Sequence, residues 1–170
     1  MLKEQIKSTK VYYKIGSHEW LTYFGLPIAL IFQGIFGCSF YLRDTTSIKA
    51  DNFLRVGIPV LIVGILTYWW QSKRLNFKKL SLNQDLEEFK RLAREIFIEY
   101  NWQIENDNKN FMVASSQKKL FSSDMIVLKF GKKEIQWNLL EHPWTHNSGA
   151  ALLGLKLEGK KVLKKIKSIA

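Results

Sequence analysis

The stretch HPWTHNSG, residues 142–149, brings together two of the chain's three histidines, His142 and His146, with Glu141 just before them and Trp144 between. Two histidines four apart hold a metal ion when a helix puts both on one face. Here Pro143 follows His142 directly, and a residue before proline is pushed out of the helical region. The spacing therefore loses its geometric meaning. No thiol is at hand to complete a zinc shell, because the single cysteine, Cys38, lies far away in an apolar run. A catalytic triad would also need a presented nucleophile, for which Ser148 before Gly149 is a weak candidate. The sequence thus predicts no catalytic residue, no metal and no cofactor. His142, Trp144 and His146 remain as a candidate loop site, since long loops between elements often bind something.

A second group of residues with chemical potential is basic. From Gln71 to Ala170 there are nineteen Lys and Arg against eleven Asp and Glu, giving this part +8 of the chain's net +11. Lys73, Arg74, Lys78 and Lys79 open the segment, and Lys160, Lys161, Lys164 and Lys165 crowd its end. Such clusters suit phosphate groups, and a lysine beside an anionic leaflet contributes about 1 kcal/mol of attraction. These eight residues are the candidate anion or lipid-headgroup site. A nucleotide or nucleic acid is the other anion to weigh, but no glycine-rich phosphate loop, RNA-binding aromatic motif or helix-turn-helix supports it.

The elements that position these residues begin with two apolar runs. Residues 20–42, WLTYFGLPIALIFQGIFGCSFYL, contain no charge; as a helix they span roughly 34 Å, enough for a hydrocarbon core of about 30 Å. Residues 53–70, FLRVGIPVLIVGILTYWW, carry only Arg55, near the end where it can snorkel. The first run starts too late and runs too long for a cleaved signal peptide. Lysines flank the pair on one side, whereas Arg43 and Lys49 in the connection are balanced by Asp44 and Asp51. The positive-inside rule then predicts a two-pass protein of the bacterial inner membrane with both termini cytoplasmic. Trp20 with Tyr23, and Tyr68 with Trp69 and Trp70, are expected as aromatic belts at one interface. Gly25, Ala29, Gln33 and Gly37 form a stripe on the first run; Gly57 and Gly64 form one on the second. Small residues at this spacing allow close helix approach. The stripes are expected to pack the hairpin, or alternatively a homo-oligomer around Gln33.

After an N-terminal segment, residues 1–19, and the hairpin, residues 20–70, residues 71–170 read as a cytoplasmic α+β domain. Leu86, Phe89, Ala93, Ile96 and Tyr100 share one helical face, with Ser81 or Asn83 as cap. WQIE, FMVAS, DMIVLKF and EIQWNLL read as strands, the last two forming a hairpin around Gly131. Val162, Ile166 and Ile169 mark the buried side of a final lysine-rich helix. The expected fold is helix, three or four antiparallel strands, helix, with the helices on one face of the meander.

This order, with Trp102 opening one strand and FMVA the next, resembles small domains of uncharacterised two-pass membrane proteins of Bacteroidota-like bacteria, over about residues 84–168. The resemblance implies a fold type and no activity. Function is therefore expected to be binding or interaction by the basic domain, not catalysis, with anionic lipid as partner and no feature that identifies a protein partner. A membrane effector gated by a small anionic, nucleotide-type ligand is the alternative, since the layout looks like that of nucleotide-sensing defence effectors. A membrane-bound hydrolase using the 141–148 loop comes third.

Overall fold

A computed structural model describes residues 10–43, 48–116, 123–131, 134–141 and 157–170. His142, Trp144 and His146 lie outside the described residues. The chain divides into two compact units, Tyr13–Arg74 and, together with the start of the chain through Tyr12, Leu75–Ala170. Among the described residues there are four helices and one five-stranded antiparallel sheet.

The first unit is a helical hairpin of α1 (His18–Arg43) and α2 (Ile48–Arg74). Both helices are long and apolar enough to cross a membrane. Only 28 % and 17 % of their most apolar windows are buried, unlike the core helices of a water-soluble protein. The pair meets through glycines. A side-chain carbon added at Gly34 would lie 2.6 Å from the backbone nitrogen of Leu61, and one at Gly64 would lie 2.9 Å from that of Ile31. Gly57 approaches the backbone of Gly34, Gly37 and Cys38 at 3.1–3.2 Å by the same measure. Removing side chains at these positions lets the two backbones close up, which is how helices gain dispersion contacts without a hydrophobic driving force.

The second unit opens with β1 (Lys78–Ser81), continues through α3 (Leu86–Glu99), β2 (Trp102–Asp107), β3 (Phe111–Ser116), β4 (Asp124–Phe130) and β5 (Glu134–Glu141), and closes with α4 (Leu157–Ser168). The sheet order is β1-β5-β4-β3-β2. This departs from the sequence expectation by one strand, β1, which precedes α3 instead of following it. Four residues of KKLS show no decisive alternation, and pairing with the open edge of β5 makes them a strand.

Asp85, not Ser81 or Asn83, caps α3: its carboxylate accepts a hydrogen bond from the backbone N–H of Glu87 at 3.0 Å. Tyr100 ends that helix and is 39 % exposed, so it lies off the buried face. Asn101 then takes φ +55°, a left-handed turn that asparagine tolerates. Phe89, Ala93, Ile96 and Phe97 from α3 and Val162, Leu163 and Ile166 from α4 cover Met112, Ala114, Ile126, Leu128, Ile135 and Trp137 of the sheet. Each fully buried large side chain contributes about 2 kcal/mol by leaving water.

The sheet's other face is not solvated either. Phe111, Val113, Met125, Val127 and Leu140 are all buried there. The near-continuous apolar runs of β3 and β4 fit a sheet covered on both sides.

Candidate anion-binding face

The geometry of the basic residues follows from which elements carry them. On α4 the buried positions are Gly159, Val162, Leu163 and Ile166, so Lys160, Lys161, Lys164, Lys165 and Lys167 are left on the exposed arc. Among the described residues none of these five ammonium groups forms an ion pair. The helix is anchored at its start, where the Asp124 carboxylate accepts the Gly159 N–H at 2.8 Å.

Strand alternation separates the two β1 lysines. Lys79 turns to the face of Gln136 and pairs with Glu134 at 3.1 Å, which holds the glutamate's carboxyl below the usual range. Lys78 sits directly opposite Trp137 on the helix-covered face, its Nζ 5.2 Å from the centre of the indole ring. Lys167, from the last turn of α4, places its Nζ 4.0 Å from the centre of that ring. Burial and the Lys78 charge both lower the Lys167 pKa. Trp137 is only 8 % exposed, so it forms a floor under two cations.

In the hairpin, Lys73 and Arg74 behave differently from β1. Lys73 Nζ stands 3.7 Å over Trp69, and the Arg74 guanidinium carbon stands 4.8 Å over Trp70. Both rings are exposed, at 55 % and 44 %. A cation seated on an exposed indole one helical turn away is a combination suited to a polar-apolar boundary. Tyr23, expected beside Trp20 in an exposed belt, is instead buried, and its hydroxyl donates to the Gln71 carbonyl at 3.4 Å. Phe24 packs on Tyr68 with ring centres 4.8 Å apart.

The predicted packing residues divide as well. Gly37, Gly57 and Gly64 are buried between α1 and α2, joined by Gly34. Ala29 and Gln33 are exposed, and Gly25 has nothing within 4 Å of an added side-chain carbon. The stripe through Gly25, Ala29 and Gln33 thus runs off the hairpin contact.

Among the described residues, two polar groups in the hairpin unit are buried without hydrogen-bond partners, the Tyr13 hydroxyl and the Gln71 side-chain amide. Tyr13 and Tyr23 have ring centres 5.6 Å apart. Burial, with the nearby Tyr23 and Glu19, pushes the Tyr13 phenol well above its ordinary pKa.

Among the described residues no three His, Cys, Asp or Glu side chains gather where a metal could bind. Sequence reasoning did not single out Trp137 and Lys167 as partners of Lys78. The alternation of EIQWNLL put Trp137 on an inward face, but which lysines reach it depends on β1 and on the docking of α4. No protein-family model, no curated protein and no solved structure matches this chain.

Proposed function

We propose that this chain is a two-pass protein of the bacterial inner membrane, with both termini cytoplasmic, whose basic α+β domain works by binding anionic surfaces and not by catalysis. The observation that carries the reading is the exposed arc of α4, where Lys160, Lys161, Lys164 and Lys165 have no ion pair among the described residues. Four solvated ammonium groups on one helix repel one another, and an anionic surface relieves that repulsion. Two apolar and mostly exposed helices in the same chain make the phospholipid headgroup the nearest such surface. Lys73 over Trp69 and Arg74 over Trp70 supply the boundary anchors on α2.

The test uses the full chain in nanodiscs of neutral lipid, mixed with vesicles that contain phosphatidylglycerol. Capture at low salt that fades as salt rises is expected, because exposed charges are screened beyond about 8 Å at physiological ionic strength. Equal capture of neutral vesicles would sink the reading. Saturable, base-selective nucleotide binding that survives high salt would replace it with a ligand-gated effector. Orientation is checked in cells with Cys38→Ser as background: Thr46→Cys should react with an impermeant maleimide and Lys160→Cys should not. The reverse labelling pattern would invert the topology.

A further inference from the structure

We propose that Lys78 and Lys167, over the Trp137 floor, form a binding site for a phosphate monoester, a more selective site than the basic surface around it. The inference rests on the anionic-surface reading above and sharpens it to one place and one chemistry. Lys78 comes from the edge strand β1 and Lys167 from the last turn of α4, 89 residues later by their numbering. Their ammonium nitrogens lie 5.2 Å and 4.0 Å from the centre of one indole ring. Neither has a carboxylate partner among the described residues. By contrast, Lys79 next to Lys78 is neutralised by Glu134, and Lys90, also seated on a ring, is neutralised by Glu87 at 2.8 Å. Among the described residues, Trp137 alone has two cations against its ring with no carboxylate paired to either.

Chemistry selects the ligand. Two ammonium groups set against one indole ring feel each other: burial first, and then the Lys78 charge, lowers the Lys167 pKa. A monoester phosphate carries roughly −1.5 to −2 charge at neutral pH and three terminal oxygens, so one group can accept from both lysines at once. A phosphodiester carries a single charge and two free oxygens, and it satisfies the pair less well. Cation–ring contact leaves the outer hemisphere of each ammonium open to such an acceptor. The phosphate can belong to a phosphatidic acid headgroup or to a soluble phosphomonoester; both present the same group.

The experiment compares vesicles doped with phosphatidic acid or phosphatidylglycerol, using the full chain in neutral nanodiscs. Wild type should hold the phosphatidic acid vesicles several-fold more tightly. Lys78→Gln with Lys167→Gln should abolish that preference and weaken phosphatidic acid capture by about thirtyfold, the loss expected from two such charges. Lys160→Gln with Lys161→Gln removes equal charge and should weaken capture of both lipids while leaving the preference intact. Circular dichroism melting reports whether each variant folds, and Lys78→Arg with Lys167→Arg, which keeps both charges, should retain binding. A preference that survives the Lys78 and Lys167 glutamine variant, or no preference in wild type, overturns the site while leaving the broader anionic-surface reading standing. No salt-sensitive capture of either lipid overturns both. Glycerol 3-phosphate identifies the source: binding lost in the same glutamine variant assigns a soluble phosphomonoester, and failure to compete with phosphatidic acid vesicles assigns the lipid.

Discussion

The carboxylate of Asp124 accepts a hydrogen bond from the backbone N–H of Gly159 at 2.8 Å, tying the first residue of β4 to the first turn of α4 across 35 residues of chain. The N–H of Asp124 itself is held by the Ser116 hydroxyl at 2.8 Å, so the capping carboxylate is fixed to the sheet. An acidic group at this end also suits the helix dipole. Gly159 is needed for the approach, since a side-chain carbon there would lie 2.4 Å from Leu139 Cδ1 and 2.9 Å from the Asp124 carboxylate. Gly159→Ala should therefore destabilise the chain by about 1–3 kcal/mol through overpacking and a displaced cap. Thermal melting in detergent checks this, and an unchanged midpoint would mean that α4 docks otherwise.

The hairpin glycines separate into those in the contact and those outside it. Gly34→Ala should cost about 1–3 kcal/mol, because the new carbon meets the backbone of Leu61 at 2.6 Å and backbone cannot step aside. Gly25→Ala meets nothing within 4 Å and should be neutral or stabilising by up to about 1 kcal/mol. Thermal stability of the two variants in the same detergent decides the matter. Equal losses would contradict the observed face.

Gln33 is exposed on α1 and makes no hydrogen bond among the described residues. In a hydrocarbon environment its amide gains about 1 kcal/mol from a partner on another helix. Gln33→Leu should leave the hairpin's melting midpoint unchanged, because the residue is outside the α1–α2 contact. Energy transfer between labelled copies in neutral vesicles should fall, with dissociation favoured by about fivefold. Unchanged transfer would assign Gln33 no role in self-association.

Tyr13 makes a pH prediction of definite sign. Burial first, then Tyr23 and Glu19, raise its folded-state pKa above the ordinary value of about 10. The neutral phenol is the form the fold accepts, so this group's stability contribution is complete below pH 10 and is lost as pH climbs above it. Tyr13→Phe should flatten the alkaline loss of stability relative to wild type. It should also add about 1 kcal/mol near neutral pH, since the hydroxyl it removes is buried with no partner among the described residues. Melting curves of both proteins between neutral and strongly alkaline pH test the two effects together.

Local pattern determined a good deal of this protein. Two uncharged or nearly uncharged runs become α1 and α2, because an apolar surface all round a helix suits hydrocarbon better than water. Phe89, Ala93 and Ile96 at helical spacing become the inward side of α3, and the alternation of Ile135, Trp137 and Leu139 becomes one face of β5. These signals lie within a few residues of one another, where the repeat of the backbone alone connects them.

Tertiary structure decided what depends on residues far apart. A helix turns about 100° per residue, so moving the contact from Gln33 to Gly34 changes which glycines meet, and only the facing backbone of Leu61 selects between them. KKLS is a strand because β5 had an edge to pair, and that pairing alone sets Lys78 opposite Trp137 and sends Lys79 to Glu134. Lys167 joins Lys78 because Asp124 and the bare Gly159 let α4 lie close on the sheet. Backbone repeats act over one turn or one pleat, whereas the meeting of two lysines from opposite ends of a domain is set by packing and registry, which no short-range periodicity encodes.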